Sequence, residues 1–202
     1  LGAGVELLAE AHDVHAVLAQ GRTDRRRGIG GSDAAAVLGI SPFMTGRDLY
    51  YDKLGISAAA DDENWVAKEI GHRLEPLVAE IFSKRTGLKV FQKKFMFQHP
   101  QYPWMLADLD YLVELPDGSI AILECKTSTS NSSENWWYAG KEIVPAYYES
   151  QGRHYMAVMN YSKTFFCCLF TDTREAIIRS IDRDMAYEEE LIALEDTFWN
   201  EN

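Results

Sequence analysis

Two charged residues close the apolar run Ile120-Ala121-Ile122-Leu123-Glu124-Cys125-Lys126, and an acidic run, Ala107-Asp108-Leu109-Asp110-Tyr111, lies shortly before it. The connector Leu115-Pro116-Asp117-Gly118-Ser119 has the residues of a three-residue hairpin loop with glycine at the left-handed position. If the first and last connector residues pair, Asp110 lies opposite Glu124, with the side chains roughly 5 Å apart. We therefore predict an antiparallel hairpin that brings two carboxylates together on one face.

The same face of this hairpin carries a lysine. Because residues alternate between faces along a strand, Lys126 lies beside Glu124, and the neighbours Leu112, Ile120 and Ile122 make the surroundings apolar. Burying unpaired charge costs several kcal/mol. A divalent cation is the simplest compensation, since hard ions take oxygen ligands and phosphate chemistry uses them.

The hairpin by itself leaves alternatives to this metal site open. Its charges could lie on a solvated face with no function, although apolar residues on both faces indicate central strands. A single bulge would move Glu124 to a diagonal position relative to Asp110. Asp108 shares the face of Asp110, so the spacing does not decide which aspartate binds the metal.

Length and composition favour one domain over residues 1–202, because 47% of the 202 residues are hydrophobic and can form one well-buried core. No apolar stretch approaches about 18 residues and no leader-like segment is visible, so we expect a cytoplasmic protein with no membrane partner. The three cysteines show no metal-ligand spacing and are expected in the core.

The net charge of −11, with a pI near 4.9, argues at first against a nucleic-acid partner. Basic residues nevertheless cluster at 25–27, 84–85 and 93–94. Because charge is screened over about 8 Å at physiological salt, a local basic patch can bind phosphate on an acidic protein. Net charge therefore does not decide between function classes.

Periodicity and turn residues predict the remaining elements. Helices are predicted at about 4–20, 34–38, 45–54, 63–86, 136–140, 145–159 and over the acidic C-terminus, with a loop at 57–63; strands are predicted at about 89–97, 104–114, 119–126, 163–170 and 175–181. Helices that pack on a mixed, mainly antiparallel sheet make this an α/β (α+β) fold.

The long helix at 63–86 carries a candidate acidic residue, Glu75. The predicted buried face of this helix has six apolar side chains: Val66, Ile70, Leu74, Leu77, Ile81 and Phe82. Glu75 borders that face. Pro76 follows inside the pattern, which predicts a kink or the start of a new helical segment.

A candidate anion pocket lies near the N-terminus. Three arginines precede the turn Gly28-Ile29-Gly30-Gly31-Ser32 and a helix for which Ser32 is the predicted N-cap. Guanidinium groups, free backbone N–H groups and the Ser32 hydroxyl can converge on phosphate. A solvated arginine run before a capped helix explains the pattern equally well, whereas a dinucleotide loop is rejected because arginines stand where a buried strand is needed.

Weaker signals come from residues further along the chain. Trp136, Trp137 and Tyr138 could stack bases, but packing in a core or interface is the favoured interpretation. Gln151 and Tyr155 lie four residues apart and share one helical face. The histidines show no zinc-binding spacing.

Taken together, these motifs resemble the YqaJ-like viral recombinases, a phage-type exonuclease family related to bacteriophage lambda exonuclease within the PD-(D/E)xK nuclease superfamily. The resemblance covers residues 25 to about 170 and rests on five motifs in order: Gly28-Ile29-Gly30-Gly31-Ser32-Asp33, Gly71-His72-Arg73-Leu74-Glu75-Pro76, Asp110, Glu124-Cys125-Lys126 and Gln151-Gly152-Arg153-His154-Tyr155. It implies a restriction-endonuclease-like core with a central mixed sheet flanked by helices.

The resemblance also implies a catalytic metal site. Asp110, Glu124 and the Cys125 carbonyl would hold one or two Mg²⁺ or Mn²⁺ ions, and Glu75 would join them directly or through water. Lys126 would orient and help deprotonate the attacking water.

Further residues are implied in substrate handling. Gln151 would position the water or a neighbouring group, and Arg25 and Ser32 would hold a terminal 5′-phosphate, with Tyr155 as a further DNA contact. Two positions depart from residues common in relatives: Tyr111 stands where glycine is frequent, and Arg153 where glutamine is frequent. These departures concern substrate contacts and leave the metal site intact.

The expected activity is metal-dependent 5′-to-3′ degradation of one strand of duplex DNA from its ends, in phage-type homologous recombination. The resemblance implies a homotrimer and a single-strand annealing protein as partner. Two alternatives are a structure-specific or restriction-like endonuclease on the same fold and a non-catalytic DNA-binding module.

Overall fold

The computed structural model describes Val17 and Leu18, residues 25–56 and residues 64–201. The helices in these ranges are α1 (Gly31–Val37), α2 (Gly46–Lys53), α3 (Trp65–Thr86), α4 (Ala146–Met159) and α5 (Met185–Asn200), with 3-10 turns at Arg25–Arg27 and Ser130–Trp136. The strands are β1 (Val17–Leu18), β2 (Ile29–Gly30), β3 (Lys89–Phe91), β4 (Met96–Gln98), β5 (Met105–Asp108), β6 (Tyr111–Glu114), β7 (Ile120–Ser128), β8 (Trp137–Tyr138), β9 (Lys141–Glu142), β10 (Lys163–Phe170) and β11 (Glu175–Asp182).

The main sheet has the strand order β11-β10-β7-β6-β3 and is mixed, because β7 and β10 run parallel while the other neighbours are antiparallel. A second sheet, β1-β4-β5-β2, lies beside it, and β8 and β9 form a small hairpin. This arrangement confirms the predicted α/β class with a central mixed sheet. Among the described residues, no helix is long and apolar enough to span a membrane.

The predicted hairpin register is confirmed. Tyr111 pairs with Leu123 and Glu114 pairs with Ile120, which continues toward Asp110 opposite Glu124. The loop is closed by Leu115 N–H donating to Ser119 O at 2.9 Å, and Gly118 has φ 83°, the left-handed conformation that glycine adopts without a Cβ penalty.

Helices cover both faces of the main sheet around β7. On one face, α3 packs Val78, Ala79 and Phe82 against the sheet in a core completed by Val113, Ala121, Leu123, Cys167 and Leu169. On the other face, the second half of α4 packs against Leu112, Ile120 and Ile122. Strand β7 is therefore central, as its two apolar faces predict.

Two predicted strands are each divided. The segments predicted at 89–97 and 104–114 each form one strand of the main sheet and one of the second sheet. The chain leaves the second sheet after Asp108 and enters the main sheet at Tyr111, so Asp110 lies at the junction rather than inside a continuous strand. Alternating apolar residues do not reveal such a change of sheet, because the alternation continues across it.

The long helix α3 runs without interruption through Pro76, and no new helix begins there. Its buried face matches the prediction in part: Phe82 is buried and Leu74 and Ile81 are half-buried, but Val66, Ile70 and Leu77 are 47%, 45% and 45% exposed. The packed face also includes Glu75, Val78 and Ala79. The sheet therefore contacts a stripe that overlaps the predicted one and is rotated slightly around the helix.

Three further predictions are wrong. The segment predicted as a helix at 136–140 instead contains strand β8 and a two-residue hairpin turn to β9. The turn residues, Ala139 and Gly140, both have positive φ. The N-cap of α1 is Gly30 rather than Ser32, and its N–H donates to the Asp33 carboxylate at 2.9 Å. Strand β1 replaces the end of the helix predicted at 4–20, whose other residues, like the loop at 57–63, lie outside the described residues.

Candidate active site

Three polar side chains meet at the end of β7. Strand alternation places Glu124 and Lys126 on one face, and α4 brings Gln151 onto them from that side. Lys126 Nζ donates to Glu124 Oε2 at 3.0 Å and to Gln151 Oε1 at 2.9 Å, while Gln151 Nε2 donates to the same Glu124 oxygen at 2.7 Å. The closed triangle fixes all three side chains, and Glu124 is 1% exposed.

Asp110 joins this group from the neighbouring strand. Its Oδ2 accepts the Cys125 backbone N–H at 2.8 Å, which fixes the carboxylate beside Glu124. Asp108, which the spacing left as an alternative, lies at the exposed end of β5 in the second sheet. The structure therefore favours Asp110 as the partner of Glu124.

Glu75 approaches from helix α3 on the opposite side of the sheet. Its carboxylate lies 3.8 Å from His72 Nδ1 and its side chain is 20% exposed. A Cβ at Gly71 would lie in ordinary contact with Thr127 Oγ1, at 3.4 Å, so α3 passes close to the end of β7 at this point.

The carboxylates destabilise one another's charged forms. Burial and, to a smaller extent, the Asp110 charge raise the pKa of Glu124 to about 8, against the opposing effect of Lys126. Burial and the Asp110 charge likewise raise the pKa of Glu75. Burial is also the main cause that raises the pKa of Asp110.

Lys126 responds in the opposite way. Burial by itself would lower the pKa of Lys126, but the Glu124 and Asp110 charges outweigh it and raise the pKa above the ordinary value of 10.5. The Tyr148 ring adds a cation–π contact, with Nζ 5.0 Å from the ring centroid. At neutral pH this lysine is therefore an ammonium.

The donor set fits a hard divalent cation. Glu124 Oε1 is buried and has no hydrogen-bond partner, which is costly for a carboxylate unless an ion completes it. Within the described ranges, no three His, Cys, Asp or Glu side chains are arranged to hold a metal by themselves. An ion here would rest on Asp110 and Glu124, completed by the Cys125 carbonyl, by water and, directly or through water, by Glu75.

A cleft of about 370 Å³ opens beside the triangle. Lys126 and Gln151 of the triangle line it, and so does Ser32. Its other lining residues are Ala35, Ser41, Phe43, Lys68, Cys125, Thr127, Tyr147 and Tyr148. The cleft thus joins the candidate reaction centre to the predicted phosphate-binding segment.

The predicted phosphate-binding residues lie together. An Arg25 guanidinium N–H donates to Ser32 Oγ at 2.8 Å. Lys53, the last residue of α2, donates to the Arg25 carbonyl at 2.9 Å and to the Asp33 carboxylate at 2.6 Å. Asp33 in turn accepts the Gly30 N–H, so one ion pair fastens the arginine segment to the start of α1.

Tyr155 lies between the two parts of the site. Its hydroxyl is 3.4 Å from Gln151 Nε2, and its ring lines a small pocket with Arg25 and Asp108. A Cβ at Gly31 would lie 2.5 Å from the Tyr155 ring, so this packing requires glycine. Tyr155 is 3% exposed, so little of its surface is available for contact with a ligand.

Two residues of the candidate site, Tyr148 and Lys53, were not predicted from the sequence. Tyr148 precedes Gln151 by three residues, and that helical spacing would have placed it on the same face. Lys53 gave no such signal, because its partner Asp33 is on another helix. Of the three aromatic residues considered for stacking, Trp136 is buried against Tyr148, which confirms the packing interpretation for it.

A family model for the YqaJ-like viral recombinase domain matches residues 22–162, well over half of the chain. The chain belongs to the YqaJ-like viral recombinase family. A curated relative of this YqaJ-like chain, the uncharacterized protein YqaJ of Bacillus subtilis (strain 168), is 34% identical over 180 residues. The alignment covers 88% of this chain and 54% of that protein, so the chain spans about half the length of the relative.

Solved structures similar to this YqaJ-like chain include exonucleases. The alkaline exonuclease LHK-Exo from Laribacter hongkongensis has a TM-score of 0.68 at 19% identity, and its complex with dAMP has 0.69 at 20%; each covers 88% of both chains. A phage-related exonuclease from Haemophilus somnus 129PT has a TM-score of 0.59 at 14% identity, covering 86% of this chain and 94% of the other. These similarities show that the chain shares the fold of these exonucleases.

Proposed function

We propose that this chain is a metal-dependent 5′-to-3′ exodeoxyribonuclease that degrades one strand of duplex DNA in phage-type homologous recombination. Family membership supports a recombination nuclease. The observation that carries the proposal is the buried Glu124, which has one unpartnered oxygen and lies beside Asp110 and the Lys126 ammonium. An oxygen-ligated cation next to a fixed ammonium is an arrangement suited to phosphodiester hydrolysis.

The cofactor we propose is Mg²⁺, with Mn²⁺ as a substitute, held by Asp110, Glu124, the Cys125 carbonyl and Glu75 in the way described above. When bound, such an ion lowers the pKa of water and neutralises charge on the phosphate. The protein's own part is to keep the carboxylates in place: the Cys125 N–H fixes Asp110, and Gln151 fixes Glu124.

Hydrolysis adds water to the phosphorus between the first and second nucleotides and breaks the P–O3′ bond. The products are a 5′-mononucleotide and a strand with a new 5′-phosphate. Lys126, as an ammonium, orients the water, favours its loss of a proton to solvent and stabilises the charge that develops on phosphate, while the departing O3′ takes a proton from solvent. Gln151 holds the lysine in that position.

The 5′ polarity rests on the arginine segment. Arg25 and Ser32 are already hydrogen-bonded to each other and would share a terminal phosphate, with the Tyr155 ring beside them. Because Ser32 also lines the cleft that reaches Lys126, a strand held by its 5′-phosphate would place its next phosphate near the reaction centre.

The proposed partners are duplex DNA ends, two further copies of this chain in a homotrimer, and a single-strand annealing protein. The apolar residues exposed on α3, Trp65, Val66, Ile70 and Leu77, support self-association, because clustered exposed apolar surface marks interaction sites. Sedimentation equilibrium tests this: a trimer is expected, and a monomer at micromolar concentration would exclude it.

The experiment that tests the activity compares three DNA substrates in Mg²⁺ and in EDTA. Linear duplex labelled at its 5′ end should release labelled mononucleotide at once, 3′-labelled duplex should release label late, and a covalently closed circle should stay intact. Cutting of the circle at a similar rate would favour the endonuclease alternative. Binding without cutting of any substrate would favour the non-catalytic module.

A further inference from the structure

A row of aromatic rings runs along the cleft to the candidate reaction centre. The Phe43 ring meets Tyr147 edge-to-face at 5.9 Å between centroids, Tyr147 meets Tyr148 at 4.5 Å, and Tyr148 lies under the Lys126 ammonium at 5.0 Å. The outer end of the row is open, because Phe43 is 77% exposed.

The exposed phenylalanine is held in place by its own turn. Ser41 Oγ accepts the Phe43 N–H at 3.2 Å and the Met44 N–H at 3.3 Å, which fixes the segment that follows α1. An apolar ring exposed this far gives up the stabilisation that burial would provide. A fixed turn that nevertheless presents the ring toward a cleft suggests that a ligand covers it.

The position of the row in the cleft indicates which ligand. Ser32, next to the proposed 5′-phosphate site, and Lys126, at the proposed scissile phosphate, line the same cleft as Phe43 and Tyr147. One nucleoside lies between a 5′-terminal phosphate and the first scissile phosphate. With its two phosphates at the cationic groups, the base of that nucleoside would lie against the cleft walls.

We propose that Phe43 and Tyr147 form a stacking platform for the nucleobase of the 5′-terminal nucleotide, which unstacks from the duplex as its strand enters the cleft. This inference rests on the proposed function. The cleft volume of about 370 Å³ is in the range of pockets that hold small ligands of this size. Stacking on aromatic rings accepts every base, which suits an enzyme that degrades DNA of any sequence.

The first test measures stacking without relying on cleavage. A duplex with 2-aminopurine as its 5′-terminal base is titrated with protein in Ca²⁺, and the fluorescence of the analogue is followed, since stacking quenches it. Because the base leaves the duplex stack before it meets the rings, the variants are compared in the bound state: the bound duplex should be brighter with Phe43→Leu, in which the platform cannot quench it, than with the wild-type chain, and Phe43→Tyr should match the wild type. Phe95→Leu is the matched control, because Phe95 is also exposed but does not line the cleft.

The second test uses kcat/KM in Mg²⁺ on a normal duplex and on one whose 5′-terminal nucleotide is abasic. Phe43→Leu should lower kcat/KM on the normal duplex by about fivefold to a hundredfold and leave the abasic duplex unaffected. Equal losses on both substrates, or quenching unchanged by Phe43→Leu, would overturn the platform. Absence of nucleotide release by the wild type from either duplex would instead reject the nuclease proposal, which the fluorescence titration does not depend on.

Discussion

Replacing Glu124 by glutamine should stabilise the metal-free protein at alkaline pH while it abolishes metal binding. The folded structure raises the pKa of Glu124 from 4.5 to about 8, so between these values the folded chain holds a proton that the unfolded chain has lost. The contribution of Glu124 to the free energy of unfolding is therefore full below pH 4.5 and falls as the pH rises to about 8. Glutamine mimics the protonated acid and does not titrate.

The magnitude follows from the width of that window. At about 1.4 kcal/mol per pH unit, one carboxylate that titrates between 4.5 and about 8 costs at most about 5 kcal/mol above pH 8. The pKa values of Asp110 and Glu75 are also raised, so the free energy of unfolding of the variant still falls somewhat as the pH rises. In Mg²⁺ the wild type should regain about 3 kcal/mol at a hundredfold excess over the dissociation constant.

Urea unfolding from pH 5 to pH 9, in EDTA and in Mg²⁺, measures both effects. Glu80→Gln is the matched control, because Glu80 lies on the exposed surface of α3 and pairs with Lys84. The wild type should lose stability with rising pH in EDTA and regain it in Mg²⁺, whereas Glu124→Gln should lose less with rising pH and regain none of it in Mg²⁺. A variant that is less stable than the wild type at pH 8.5 in EDTA, together with a wild type that is indifferent to Mg²⁺, would refute the reasoning.

Three further substitutions test the surroundings of the site. Lys53→Met should reduce the preference for 5′-phosphate over 5′-hydroxyl ends nearly as much as Arg25→Ala, since Lys53 fastens the Arg25 segment; an unchanged ratio of the two cleavage rates would reject that role. Gly31→Ala should lower stability by about 1–3 kcal/mol, because its Cβ would meet a tyrosine ring at 2.5 Å, and an unchanged melting temperature would contradict this packing. Glu195→Gln should cost about 3–5 kcal/mol in urea unfolding at pH 6, because it breaks a fully buried pair with His154. Burial opposes protonation of His154, but the Glu195 charge outweighs burial and raises the pKa of His154. The ion pair therefore stabilises the fold fully below pH 6.5, and this stabilisation is lost as the pH rises through the raised pKa. An equal cost of Glu195→Gln at pH 6 and at pH 10 would count against the pair.

The hairpin and its carboxylates could be predicted because the relevant signals are local. The turn residues fix the register, and strand alternation then fixes which side chains share a face. That logic placed Glu124 with Lys126 and Asp110 before any tertiary contact was known. The signal for the start of α2 is local in the same way, because Thr45 and Asp48 form a capping box there.

Features that depend on distant partners could not be predicted. The packed face of α3 is selected by the sheet, so Val66, Ile70 and Leu77 of the predicted apolar stripe are exposed. The Lys53–Asp33 pair joins two helices through a turn whose geometry no short pattern encodes. The change of sheet after Asp108 depends on which strands are neighbours, and periodicity is silent on that.

The most direct test of the central claim is nucleotide release from 5′-phosphorylated linear duplex by Lys126→Met in Mg²⁺. Methionine keeps the length of the side chain and removes the ammonium, and Lys84→Met, at an exposed lysine of α3, is the matched control. Lys126→Met, shown to be folded by circular dichroism, should release nucleotides at least about a hundredfold more slowly than the wild type, while Lys84→Met should release them at the wild-type rate. A folded Lys126→Met that releases nucleotides as fast as the wild type would contradict the assignment of this site as the reaction centre.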